Sequence, residues 1–404
     1  MRRVGNGALG LLAVSTSWGL FWGGWAALIP QMKADLALTD QQLGLALFAV
    51  PVGAVPAMLL AGRLAQRLAQ HTLPLVTAVF ALGCLLVGFA PSLPTFTAAL
   101  LLVGAASGGI EVGLNATTAA HEARDGVRLF NKVHAATPLA MLLAAPAVGL
   151  ARQFGASPLV VLAVIAALVG VSAALAVDRR GWQEESESDR ERDDDTRAAG
   201  RRRLPGPLLV IGLLGAVVLL MENAVEQWGA IHLQQEFGSG PLVASLGPAC
   251  YMAGLSAGRM LAQSRGDRLT ESALVLTAGL LGAVGFGVAA FAPHPLLVLV
   301  GYGLAGIGLA PVVPTLFTVV GRSASPERRT AVISMVTVVF YAGFLTSPPV
   351  VGTLAGWLGL PTVLGLVGLG GLLVAAGSGV VRRLPVPRDG EKTTVGTAGR
   401  RETG

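Results

Sequence analysis

Apolar residues come in runs of about twenty along nearly the whole chain, separated by short polar breaks. A helix rises 1.5 Å per residue, so about twenty apolar residues match a hydrocarbon core of roughly 30 Å. Such runs fall near 9–30, 42–62, 73–91, 94–117, 131–151, 157–177, 207–233, 241–263, 271–292, 295–320, 329–353 and 358–381. They predict an all-α membrane protein with twelve transmembrane helices.

The breaks are short everywhere but one. Residues 178–203 form a long polar segment rich in both signs of charge and without apolar periodicity, which reads as a cytoplasmic linker. Six spans precede it and six follow. The expected organisation is a six-helix bundle over 1–178, a linker over 179–206, a second bundle over 207–382 and a disordered tail over 383–404. A weak internal repeat supports the division. Trp25-Ala26-Ala27-Leu28 through Leu43-Gly44 aligns without a gap on Trp228-Gly229-Ala230-Ile231 through Leu246-Gly247, and Gly109-Ile110 matches Gly306-Ile307.

Composition strengthens this picture. Apolar residues make up 53% and charged residues 13%, and the mean hydropathy is +0.67, outside the range of soluble globular chains. Charge then sets orientation. With the N-terminus placed in the cytoplasm, 27 of the 29 Lys and Arg residues fall on the cytoplasmic side, and Lys33 and Arg152 fall outside. Both termini are therefore expected in the cytoplasm of a multi-pass plasma-membrane protein. The same bias explains the basic isoelectric point without a nucleic-acid partner. Arg2 and Arg3 precede an apolar run that continues into a tryptophan-rich stretch rather than a small-residue cleavage site, so it reads as an uncleaved first span. Cys84 and Cys250 lie in different halves and suit apolar packing better than a disulfide or a metal site.

Six-helix halves joined by a charged loop resemble the major facilitator superfamily, across nearly the whole chain. The family marker after the second span runs Gly-x-Leu-Ala-Asp-Arg-x-Gly-Arg. Here Gly62-Arg63-Leu64-Ala65-Gln66-Arg67 keeps much of it with Gln66 replacing the acid, and Gly266-Asp267-Arg268-Leu269 retains the acid in the second half. The resemblance implies that these loops stabilise one access state through charge contacts, making Gly62, Arg67, Arg259, Asp267 and Arg268 gating candidates. Arg259 has a plainer account, in which its long side chain snorkels to the interface.

Three acids lie well inside predicted spans, where an ionised side chain costs about 2.5–3.5 kcal/mol on insertion scales. Glu111, Glu222 and Glu226 therefore need a partner, a proton or a water-filled cavity, and they are the proton-coupling candidates. Glu222 and Glu226 are four residues apart and share a helix face, at a separation that permits one shared proton. Glu111 lies in the inner half of its span and Glu226 in the outer half of its own. Beside the acids, Asn115, Asn223, Gln227 and Trp228 offer hydrogen-bonding and stacking groups to a polar ligand. The patterns Glu111-x-x-x-Asn115 and Glu222-Asn223-x-x-Glu226-x-Trp228 resemble the branch that includes fucose/proton symporters, in which a span-4 glutamate is implicated in proton coupling; that role carries to Glu111 alone. The branch also uses an acid in span 1, where this chain has Ser15, Ser17, Trp18, Trp22 and Trp25. The Trp18, Trp22 and Trp25 stripe stacks on a ligand or packs against lipid and neighbours; packing is the plainer reading, with Trp22 kept as a ligand-contact candidate.

Other features have ordinary accounts. His134 suits the end of a helix at the interface, with proton passage as the sharper reading. His121 and Glu122 read as solvated or paired with Arg124. Pro311, Pro314, Pro348 and Pro349 are hinge candidates. Gly254-Leu255-Ser256-Ala257-Gly258 spells a nucleophile elbow without a preceding strand. No phosphate-binding loop, His-Glu-x-x-His motif or Cys/His cluster occurs in the sequence, so neither an enzyme nor a metal- or ATP-dependent machine is expected. The expected protein is a monomeric secondary transporter of a small organic solute, working by alternating access with the proton gradient as its energy source and no cofactor. Symport is the leading reading, since span 5 lacks the glycine-rich signature of drug/proton antiporters; efflux of an amphipathic metabolite or drug by antiport is the alternative.

Overall fold

The structure is a computed structural model that describes residues 6–126, 128–177, 205–265, 269–324 and 328–384. Its helices are α1 (Asn6–Asp35), α2 (Asp40–Leu68), α3 (Thr72–Gly88), α4 (Leu93–Asp125), α5 (Phe130–Gln153), α6 (Pro158–Leu175), α7 (Gly206–Phe237), α8 (Pro241–Arg265), α9 (Glu271–Phe291), α10 (Pro295–Leu309), α11 (Val312–Ser323), α12 (Arg329–Leu358) and α13 (Leu360–Arg383). No strand occurs among the described residues. Ten membrane-crossing candidates satisfy length and apolarity on their own, with α10 and α11 counted as one. The 17-residue α3 is shorter, about 26 Å at the helical rise, and α8 carries Arg259 and Arg265. Most of the linker and the tail expected over 383–404 lie outside the described residues.

Local chemistry explains where helices start and stop. The Ser157 hydroxyl accepts from the Val160 amide at the start of α6, with Pro158 in the first turn, and the Thr270 hydroxyl does the same for Ala273 in α9. Gly126 ends α4 at φ 63°, a left-handed conformation that favours glycine. The tenth span divides at Pro311. The Ala310 amide still reaches the Gly306 carbonyl, but proline has no N–H to continue the ladder, and α11 starts anew. Pro348 and Pro349 lie inside α12 without ending it.

Packing repeats between the two sets of spans. In the first, α1 packs on α5 and α6, α2 on α4, and α3 on α4 and α6. In the second, α7 packs on α12 and α13, α8 on α10, and α9 on α10 and α13, the same pairings six spans later. Backbones touch where side chains are absent. A Cβ at Gly104 of α4 would lie 1.9 Å from the Val50 carbonyl oxygen of α2, and one at Gly254 of α8 would lie 2.2 Å from that of Gly303 in α10. Trp25 and Trp228, aligned by the sequence repeat, are both fully buried. The pairing of Gly109 with Gly306 is not structurally equivalent, because Gly109 faces Val76 of α3 whereas Gly306 faces Tyr251 of α8.

Two seams join the sets, α2 against α12 and α5 against α8. The closest approaches cluster at one end of the molecule, near the 36–39 and 238–240 connections. A Cβ at Gly44 would lie 2.4 Å from the Pro348 carbonyl oxygen, one at Gly352 would lie 2.6 Å from that of Asp40, and one at Gly149 would meet the Ser245 hydroxyl at 2.1 Å. The basic residues at this end are partnered. Lys33 pairs with Asp40 at 2.5 Å, and Arg152 donates to the Gln31 side-chain oxygen at 2.6 Å.

Candidate functional site

Between the two sets lies a cavity of about 400 Å³ lined by α1, α2, α4, α5, α7, α8 and α12. Side-chain length explains the space. Where α1 meets α5, α1 glycines such as Gly19 and Gly23 draw the backbones together, whereas the faces turned to the centre carry Trp18, Trp22, Met58, Met141, Met252 and Phe344. Exposure along the wall shows which end is open. Trp25 and Leu47 are buried towards the sealed end, while Val55 and Tyr341, farther along α2 and α12, are 44% and 45% exposed. The cavity therefore opens towards the end that carries the α2–α3 and α4–α5 connections.

All three membrane acids reach this cavity. Glu111 enters from α4, and Glu222 and Glu226 enter from α7 with Asn223 and Gln227 beside them. One helical turn separates Glu222 from Glu226, about 6 Å along the axis. No hydrogen bond or ion pair joins any of the three to another described side chain, although the charge of Arg259 acts on Glu222 from the α8 side. Arg259 itself is exposed, which accords with snorkelling towards the open end. No Lys, Arg or His stands among the described lining residues. Three buried polar atoms of the lining lack partners: Asn223 Oδ1, Gln227 Oε1 and Trp25 Nε1. Asn223 is only 1% exposed, so an unpaired oxygen there leaves a buried acceptor for a ligand or water to satisfy.

Two expected ligand contacts lie elsewhere. Trp228 is fully buried against Gly352 of α12 and does not line the cavity; at the α7–α12 crossing its indole fills the space that the glycine leaves. Asn115 lies one turn beyond Glu111 on α4, and its side-chain oxygen is 2.8 Å from His134 Nε2. This pair stands at the mouth rather than on the wall, and His134 is exposed with its ring against Phe130. Glu122 is not Arg124's partner. Its carboxylate accepts the backbone amides of Leu129 and Phe130 and caps the start of α5. His121 does pair with Arg124, at 3.0 Å. Among the gating candidates, the side chains of Gly62 and Arg67, and Asp267 and Arg268 altogether, lie outside the described residues.

The tryptophan stripe is where sequence reasoning was least discriminating. Trp18, Trp22 and Trp25 all line the cavity, Trp18 Nε1 donates to the Ser107 hydroxyl at 2.9 Å, and Phe21 stacks on Trp25 from behind. Ser107, Thr137, Tyr341 and Phe344 also line the wall without having been singled out. Spacing identified one face of α1 but not what that face meets. Cys84 and Cys250 are both free thiols, and no metal-ligating cluster occurs among the described residues.

Comparison with known proteins agrees with this architecture. The family model described as Major Facilitator Superfamily matches residues 8–229 and 211–402. An uncharacterised MFS-type transporter of Yersinia pestis is 29% identical over 378 residues, covering 90% of this chain and 93% of its own. Membrane protein MosC of Rhizobium meliloti is 28% identical over 364 residues, covering 89% and 86%. Among solved structures, the nucleoside transporter NupG superposes with a TM-score of 0.78 at 14% identity, over 93% of this chain and 99% of that one, a likeness of fold. A helix-only, multi-pass chain with paired six-span packing and a cavity between the sets, matched along most of its length by one family model, belongs to the Major Facilitator Superfamily and is a membrane transporter, not an enzyme.

Proposed function

We propose that this chain is a proton-coupled secondary transporter of a small organic solute, working by alternating access. The observation that carries the proposal is the convergence of Glu111, Glu222 and Glu226 on one cavity, without ion-pair partners within contact distance. Carboxylates in that setting exchange protons with whatever enters, and a site between two bundles can face each side in turn. The cytoplasmic bias of Lys and Arg supports cytoplasmic termini. In that orientation the cavity is open inward and sealed outward by the α2–α12 and α5–α8 seams. The proton gradient is the energy source, and the unit is a monomer whose cavity is complete within one chain.

Glu111 is the coupling site in this reading. The resemblance to fucose/proton symporters supports that role, and the adjoining Asn115–His134 pair offers a polar step between Glu111 and the open end. Symport is the reading advanced. Antiport is favoured instead if proton and solute exclude each other, and the common cavity of all three acids makes that a real second reading.

The test is proton flux in proteoliposomes of wild type and Glu111→Gln, read by a pH-sensitive dye across a panel of sugars, amines and amphipathic metabolites. Solute-dependent flux in the wild type alone supports coupling through Glu111, and its direction relative to solute movement separates symport from antiport. Solute uptake with no proton movement in the wild type would refute the coupling.

A further inference from the structure

We infer that the solute is an organic cation with an apolar, ring-bearing body, held by Glu222 and Glu226 against the α1 tryptophans. The inference rests on the transport reading above for its physiological meaning, but the site is argued from its own chemistry. Among the described lining residues there are three carboxylates and no Lys, Arg or His. Arg259 acts on Glu222 from outside the lining and leaves acidic groups in excess. Asn223 and Gln227 beside the acids add amide groups with unpaired oxygens, which can turn to offer either an acceptor or a donor. A ligand that satisfies the carboxylates of this wall brings positive charge.

The remainder of the wall selects the body. Trp18, Trp22 and Tyr341 present aromatic surface, which attracts a cation over the ring face and stacks on a planar group. Met58, Met141 and Met252 add flexible thioethers that fit irregular apolar shapes. An anionic solute would meet three carboxylates and no cation among the described lining residues. A polyhydroxylated neutral solute would leave the methionine and tryptophan surface without an apolar partner. An ammonium with an attached ring satisfies both halves of the wall.

The experiment measures binding of benzyltrimethylammonium to the purified full-length protein in detergent by titration calorimetry. N-benzylacetamide serves as a neutral probe of similar size and phenylacetate as an anionic one. The expected result is saturable binding of the cation, at least about tenfold tighter than either other probe, since cation–π and charge contacts contribute on that scale. Binding should weaken by a similar factor in Glu222→Gln/Glu226→Gln and also in Trp22→Leu, each checked for an unchanged melting transition. Trp22→Leu keeps the question open to refutation if the double variant fails to fold. Equal affinity for N-benzylacetamide, absence of saturable cation binding to folded wild type, or undiminished binding in the folded variants would overturn the inference. The transport reading fails separately: cation binding without uptake into proteoliposomes sinks transport and leaves the site, whereas proton-linked uptake of a neutral solute without cation binding sinks only the cation.

Discussion

Gly44→Ala should tilt this protein away from its outwardly sealed state. A Cβ at Gly44 falls 2.4 Å from the Pro348 carbonyl oxygen and 3.1 Å from the Gly352 Cα. Carbon–oxygen contacts rest at about 3.3–3.6 Å, so α2 and α12 must separate by about 1 Å at this crossing. Overpacking of this kind costs about 1–3 kcal/mol. Since the proposed outward-open state parts these helices, the cost falls on the sealed state alone. The helix-propensity gain of alanine over glycine, about 1 kcal/mol, is common to both states and cancels. The population ratio should therefore move by about 5- to 150-fold. Spin labels at Gln41 and Trp357, exposed near the outer ends of α2 and α12, read the separation in a Cys84→Ala/Cys250→Ala background. The longer-distance population should grow in Gly44→Ala. Gly104→Ala is the contrast, because its clash with the Val50 carbonyl lies within one six-span set; it should lower the melting temperature without lengthening the Gln41–Trp357 distance. An unchanged distance distribution in stably folded Gly44→Ala would refute the view that this seam is the outer gate.

Three further outcomes follow from named contacts. Glu222→Gln and Glu226→Gln should each impair proton-linked accumulation, and the double variant should lose less than the sum of the two; a strictly additive double-mutant cycle would count against a shared proton. Glu122→Ala removes the carboxylate that accepts the Leu129 and Phe130 amides, and should lower the midpoint of a denaturant titration with no change in solute binding. Asp40→Asn removes the charge that pairs with Lys33, in a pair whose side chains retain only 13% and 20% exposure, and a loss of about 1–3 kcal/mol is expected in a denaturant titration, more than an exposed pair contributes.

Much of the fold was legible because the bilayer imposes a length and a charge rule on the chain. Every predicted span coincides with a helix or with the α10–α11 pair, and the helices differ mainly where polar turns carry them past the apolar run, as α4 does through His121 and Glu122 to Asp125. The membrane acids were legible for the same reason: a carboxylate in an apolar run has few places to be except a cavity. Aromatic and amide residues were harder. Trp22 and Trp228 look alike in sequence, each inside a span beside small residues, yet one lines the cavity and the other fills a helix crossing. That distinction depends on which neighbour a helix face meets, and Gly352 opposite Trp228 is 124 positions away in the chain. The Gly109–Gly306 pairing failed likewise, since a two-residue match does not establish that both glycines face corresponding helices.

The glycine contacts also bear on how such a protein can diversify. At Gly104, Gly254 and Gly44 the neighbouring atom is a main-chain carbonyl, and a carbonyl cannot swing away as a side chain can. Substitution at these positions is constrained by the geometry of the crossing, whatever the solute. The cavity wall is built instead from long side chains such as Met58, Met141, Met252 and Trp22, whose replacement alters the chamber without moving a backbone. The crossings therefore tolerate little change, whereas a few side chains of the chamber can be exchanged to suit another ligand while the helix contacts stay intact.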